Sequence, residues 1–181
     1  VKSSSKRWPS RLAKDITFEH CIAWNVDSGN SFEIGHMLGG GVENVKYKDI
    51  YAIHSGRRGK TTFHRAGISI HPSPGPFVKD ISYENVWIED PLEHAVCFEV
   101  FTSPYKHLHA DWYAGYIENV TVKNLHVYKK SPLGNVVQGY DAESKVRNVR
   151  FIDFYLEGKK VNSLEDGDFR KTNHSENVIF E

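Results

Sequence analysis

One pattern of eleven residues recurs along the chain. It reads DITFEHCIAWN at 15–25, NVKYKDIYAIH at 44–54, DISYENVWIED at 80–90, NVTVKNLHVYK at 119–129 and NVRFIDFYLEG at 148–158, with a truncated NVIFE at 177–181. Counted from the first apolar residue of each copy (Ile16, Val45, Ile81, Val120, Val149, Val178), the steps are 29, 36, 39, 29 and 29 residues. Self-similarity at this period is the signature of an architecture built by stacking one small unit on the next, because a single unit cannot bury its own apolar face.

Within each copy the apolar residues alternate, as at Ile81 and Tyr83 and again at Val86 and Ile88, and β-branched and aromatic types dominate. This is strand, a turn residue, then strand. The turn column is His20, Asp49, Asn85, Asn124 and Asp153, polar side chains that tolerate bent backbone and can bond to their neighbours as a ladder. Each interval adds a further strand-like piece: 31–36, 67–71, 95–101 and 135–141. With no helical period anywhere, the expected fold is all-β, a right-handed parallel β-helix of about five coils with three short strands per coil. At the usual separation of stacked strands it is a rod roughly 25 Å long. A β-sandwich is the rival architecture. Ile16, Phe18, Phe32, Ile34, Val45, Tyr47, Ile68, Ile70, Phe98 and Val100 form the expected inward column.

The chain has 181 residues with 23 basic and 23 acidic side chains. One domain is expected, with residues 1–14 as an N-terminal cap and 159–175 as a loop near the C-terminal end. Trp8 and Leu12 are expected to cover the first coil, and residues 164–169 the last. Zero net charge with scattered basic residues argues against nucleic acid and anionic membrane as partners. No run approaches the length of a membrane-spanning helix, and residues 1–10 lack the apolar segment of a signal peptide. Cys21 and Cys97 form neither a metal-binding spacing nor a disulfide framework.

The run from SFEIGHMLGGGVENVKYKDIYAIHS through GISIHPSPGPFVKDISYENVWI to AVCFEVF resembles the C-terminal half of polygalacturonase-type proteins. These are pectin-lyase-like β-helices of glycoside hydrolase family twenty-eight. The resemblance covers residues 15–105 and implies the fold. It also implies inverting hydrolysis by paired aspartates, beside a Gly-His-Gly and an Arg-Ile-Lys motif. By the same resemblance those motifs fall at Gly29, Asn30, Ser31 and at Ser69, Ile70, His71, where neither is preserved, and the aspartate pair falls before Asp15, where the chain reads VKSSSKRWPSRLAK. Two readings follow: the downstream part of a longer enzyme, or a β-helix that binds without cleaving, as in carbohydrate-binding modules of the xylan-binding type.

Alternation in the second strand set places Glu33, Ser69, Glu99 and Gln138 in one outward row, and Gly35, His71, Phe101 and Tyr140 in the next. With His36 and Asp141 they form an expected polar and aromatic strip suited to a linear polymer. A loop at 102–116 adds Tyr105, Trp112 and Tyr113 as stacking candidates. Expected carbohydrate-binding residues are therefore Glu33, His36, His71, Glu99, Phe101, Tyr105, Trp112, Tyr113, Tyr140 and Asp141. Glu33 and Glu99, two coils apart at roughly 10 Å, are the acid and base pair of the alternative in which the chain is itself a hydrolase or lyase.

No cofactor is expected. The HxHxD at His107, His109 and Asp111 has the alternation of a zinc site without a fourth ligand, and Glu33, Glu99 and Asp141 are the candidate ligands if calcium binds. The expected function is non-catalytic recognition of a plant cell-wall polysaccharide, xylan-like or pectic, by a secreted module attached to a catalytic domain.

Overall fold

The computed structural model describes residues 1, 11–26, 29–35, 38–56, 65–72, 75–101 and 114–181. Among these there is no helix. Five long strands, β1 (Ala13–Trp24), β3 (Val42–Ser55), β5 (Phe77–Pro91), β7 (Tyr116–Val127) and β9 (Val146–Leu156), follow one another in parallel as sheet A. β12 (Ser175–Phe180) continues it on β9. Between them the chain visits a second parallel sheet, B, ordered β11-β8-β6-β4-β2, from β2 (Phe32–Gly35), β4 (Ala66–His71), β6 (His94–Glu99), β8 (Asn135–Gln138) and β11 (Phe169–Lys171). The chain thus alternates between two sheets, each growing by one strand per repeat.

The sheet A strands are long because they run through two bends without losing their partners. Asp15, Asn44, Asp80, Asn119, Asn148 and Asn177 form one column of residues with φ between 51° and 58°; His20, Asp49, Asn85, Asn124 and Asp153, five positions later, form a second with φ between 52° and 55°. Left-handed backbone is costly for most side chains and least so for Asn and Asp. The anticipated turn column is therefore present and doubled. Both columns are hydrogen-bonded ladders. Asn148 donates to Asn119 at 3.1 Å and Asn177 to Asn148 at 2.9 Å in the first; Asn85 donates to Asp49 at 2.7 Å and Asn124 to Asn85 at 2.9 Å in the second.

The core lies between the sheets, and eight of the ten expected inward residues occupy it; Ile16 on the edge strand β1 is only half-buried against it, and Phe18, also on β1, is 36% exposed because no described strand covers that side. Ile34, Val45, Ile68, Ile70 and Phe98 are fully buried, with Phe32, Tyr47 and Val100 nearly so. Aromatic rings stack along the repeat direction, Phe18 on Tyr47 at 5.0 Å and Tyr47 on Tyr83 at 4.9 Å, the offset geometry that adds to burial. Close approach of successive backbones sets some corners: a Cβ on Gly115 would lie 2.1 Å from the Gly75 carbonyl oxygen.

The 159–175 segment, expected as a loop, holds two short strands. β10 (Lys159–Lys160) folds back antiparallel on Tyr155 and Leu156 through Glu157 and Gly158, both at positive φ, the two-residue turn that favours a hairpin. Leu164 and Phe169 pack on the core as expected of a cover. Leu12 is 39% exposed, and Trp8 lies outside the described residues.

Candidate functional site

The strip expected on sheet B is not an exposed face. Ser69 and His71 are fully buried and Glu99 is 2% exposed; every residue of β4 and of β6 is buried. The outward side of this sheet carries a small apolar cluster of its own, Ala66, Cys97 and Val136. Alternation identifies which side of a strand a residue takes, and it does so correctly here; it says nothing about whether that side is covered.

Register also differs from the expected rows. Glu33 pairs with Ser69, Ser69 with Cys97 and Cys97 with Val136, while Gly35 pairs with His71 and Glu99 with Gln138. Glu99 therefore sits one side-chain pair further along the strand than Glu33, and the two carboxylates do not share a row. The offset from Ser69 to its partner in β6 is 28 residues, two fewer than a row joining Ser69 to Glu99 requires. Glu33 is half-buried beside a cavity of about 610 Å³ at the β1 end, lined also by Phe18, Ile22, Phe32 and Tyr47. Glu99 lies 3.9 Å from the Lys171 ammonium and 3.9 Å from the Cys97 sulfur, and burial pushes the Cys97 thiol well up.

The remaining expected residues scatter. Phe101 meets the His71 ring edge-on at 5.5 Å. Tyr140 is 47% exposed. Asp141 accepts hydrogen bonds from the backbone N–H groups of Ser144 and Glu143 at 2.8 and 2.9 Å, which close a tight turn and hold its carboxyl below the usual range. His36, Tyr105, Trp112 and Tyr113, like His107, His109 and Asp111, lie outside the described residues. Glu33, Glu99 and Asp141 are not gathered as calcium ligands, and among the described residues no three His, Cys, Asp or Glu side chains come together as a metal site.

A different face does present an aromatic row. Ile22, Tyr51, Trp87, His126 and Tyr155 are successive partners across β1, β3, β5, β7 and β9. Each stands two residues after the second left-handed column, on the side opposite the core residues Ile50, Val86, Leu125 and Phe154. Tyr51 stacks on Trp87 at 6.3 Å, Trp87 on His126 at 6.4 Å and His126 on Tyr155 at 5.0 Å, with planes within 21° of parallel. All four rings are half-buried. Trp24, 69% exposed, and Tyr128, 54% exposed, flank the row. The +2 position after each turn residue was readable in the sequence, but an aromatic there fits the core equally well until the bend fixes which side it takes.

Polar groups hold this face in place and border it. The Tyr51 hydroxyl donates to Glu89 at 2.7 Å; that bond, with smaller contributions from burial and neighbouring charge, pushes its pKa up to about 12. His126 Nε2 lies 2.9 Å from Asn124 Oδ1, tying the ring row to the asparagine ladder. Asp90 takes a hydrogen bond from Lys129 at 2.6 Å and meets His54 Nδ1 at 3.2 Å. The Lys129 bond, joined by the charge of Lys129 and the contact with His54, keeps the Asp90 carboxyl below its ordinary range despite partial burial. The arrangement offers ring edges and two exposed rings along one line, bordered by hydroxyl, carboxylate and ammonium groups. Comparisons with protein-family models, with curated proteins and with solved structures found no match for the chain.

Proposed function

We propose that the chain is a right-handed parallel β-helix that binds a linear plant cell-wall polysaccharide, xylan-like or pectic, without cleaving it. The alternation between two parallel sheets supports the fold, and the strong right-handed bias of parallel crossovers supports the hand. The single observation that carries the function is the row from Tyr51 to Tyr155, with Trp24 and Tyr128 beside it. Its spacing follows the strand separation, so a polymer lying across the strands meets a comparable group at each strand. Stacked rings occupy one another's faces, so the row presents edges and C–H surface, while Trp24 and Tyr128 offer faces to a sugar ring. Glu89, Asp90, His54 and Lys129 are placed to bond hydroxyls at the border. In this reading the module is secreted and joined to a catalytic domain.

Affinity electrophoresis through gels containing xylan, polygalacturonate, arabinan or mixed-linkage glucan, paired with a reducing-sugar assay, tests it. The expected result is retardation by one polymer without released ends, lost in Trp24→Ala and Tyr128→Ala, whose exposed rings can be removed without opening the core. Unretarded migration in every gel refutes the binding reading. Released ends that vanish in Glu99→Gln replace it with a hydrolase or lyase working from sheet B.

A further inference from the structure

The second left-handed column is a hydrogen-bond chain with a fixed direction. A carboxylate only accepts, so Asn85 must turn its amide nitrogen toward Asp49, at 2.7 Å. Asn85 Oδ1 is thereby left as the acceptor for the Asn124 amide nitrogen, at 2.9 Å, and Asn124 is left with Oδ1 as an acceptor in its turn. In the next repeat the column holds Asp153, which cannot donate to Asn124 and itself takes a hydrogen bond from Lys160 at 3.0 Å. The donor for Asn124 Oδ1 comes instead from within β7: it is His126 Nε2, at 2.9 Å.

Neutral imidazole carries its proton on one ring nitrogen only, and the partner of each nitrogen decides which. Facing an oxygen already fixed as an acceptor, His126 Nε2 must be the protonated one, so Nδ1 keeps the lone pair. Nδ1 has no hydrogen-bond partner among the described residues and is not buried. The ring is held from both sides, by Trp87 at 6.4 Å and by Tyr155 at 5.0 Å. One outward acceptor thus stands within the aromatic row, its direction imposed from Asp49 two strands away. Charge on the same face points the same way. Glu89 and Glu157 flank the row, and the groups that donate to them, the Tyr51 hydroxyl and the Lys130 backbone N–H, are both uncharged. Lys129 and Lys160 are ion-paired with Asp90 and Asp153 at 2.6 and 3.0 Å. Free acceptors and uncompensated carboxylates suit a ligand that brings hydroxyl donors and oppose one that brings carboxylates.

We infer that His126 is a specificity-determining residue of the row: its Nδ1 accepts a hydrogen bond from a sugar hydroxyl, and the ligand is an uncharged, xylan-like chain rather than a pectic one. This rests on the polysaccharide-binding reading above and narrows it. Trp87 and Tyr155 position the ring, while Asp49, Asn85 and Asn124 act through it by fixing which nitrogen is free.

Two measurements on the whole chain test this. A long-range 1H–15N spectrum of the ligand-free protein reads the tautomer, and Nε2–H is expected for His126. Calorimetric titration with an unsubstituted xylo-oligosaccharide and with an oligogalacturonate of equal length should show binding of the first only. His126→Phe keeps a ring in the stack and removes the lone pair, so it should weaken xylo-oligosaccharide binding roughly three- to tenfold, the worth of one hydrogen bond. Protonation also removes the lone pair, so the affinity of the parent chain should fall along the same curve on which the His126 ring signals titrate, and His126→Phe should lack that fall. Glu84, Glu89, Lys123, Asp153, Glu157 and the tyrosines of this face are common to both proteins, so the difference between the two curves isolates His126. A protonated Nδ1, a preference for oligogalacturonate, or equal affinity in parent and His126→Phe overturns the inference and leaves the binding reading standing. No binding of any polymer overturns both. If His126→Phe fails to fold, the tautomer and the pH curve of the parent chain decide, and an affinity indifferent to the His126 titration overturns the inference.

Discussion

At the scale of single residues, the left-handed columns concentrate the most information. Asn85 meets three demands at once: it adopts φ of 55°, donates to Asp49 and accepts from Asn124. Asn85→Ala should therefore cost about 3–4 kcal/mol, roughly 1–2 for the left-handed backbone and about 1 for each of the two hydrogen bonds. Asn85→Gly recovers the backbone part only, so urea denaturation of the two variants should separate strain from bonding. Equal losses in both would show that the ladder, not the bend, sets the requirement. One of the two columns was legible in the sequence, because Asp, Asn and His interrupt an apolar alternation there. The other, opening each copy at Asp15 and its equivalents, was hidden because a polar residue before an apolar run reads as an ordinary strand boundary.

Among the elements, sheet A and sheet B differ in how far alternation could be trusted. In sheet A the pattern of Ile50, Tyr51 and Ala52 separates inside from outside, and the outside is half open. In sheet B the same alternation in Ile68, Ser69 and Ile70 gives the correct side, yet both sides are buried, so polar outward residues were mistaken for an exposed strip. The row of Glu33 and Glu99 failed for a related reason: repeat lengths of 29 to 39 residues do not say where within an interval the short strand begins. Between β3, β5 and the residues after β7, the Asp90 carboxylate bonded by Lys129 and His54 gives a pH signature. Its pKa is lowered on folding, so its contribution is present above the ordinary aspartate range and lost as pH falls through the depressed value. The stability gap between the parent chain and Asp90→Asn, followed by thermal melts, should be open at pH 7 and close in acid; a gap unchanged at low pH would assign the effect to packing.

For the whole molecule, every repeat contacts chiefly its two neighbours, so local stability should depend on position in the stack. β5 and β7 have strands on both sides, and their core residues Ile81, Tyr83, Val120 and Val122 are buried. β1 and β12 each have one neighbour in sheet A. Hydrogen exchange should find β5 and β7 slowest and the amides of β1 and β12 fastest; uniform protection would indicate that the stack opens only as a unit. The offsets between paired residues in sheet A, 29 from Ile16 to Val45, 36 from Val45 to Ile81, 39 from Ile81 to Val120 and 29 thereafter, are the repeat lengths themselves. Apart from a one-residue shift between Ala23 and Trp24 at the end of β1, all variation in length is taken up between the strands of sheet A and none within their shared register. The frame and its excursions are consequently separable in heredity as well as in space: insertion or deletion between strands can reshape the periphery from one descendant to the next while the line of rings stays in step.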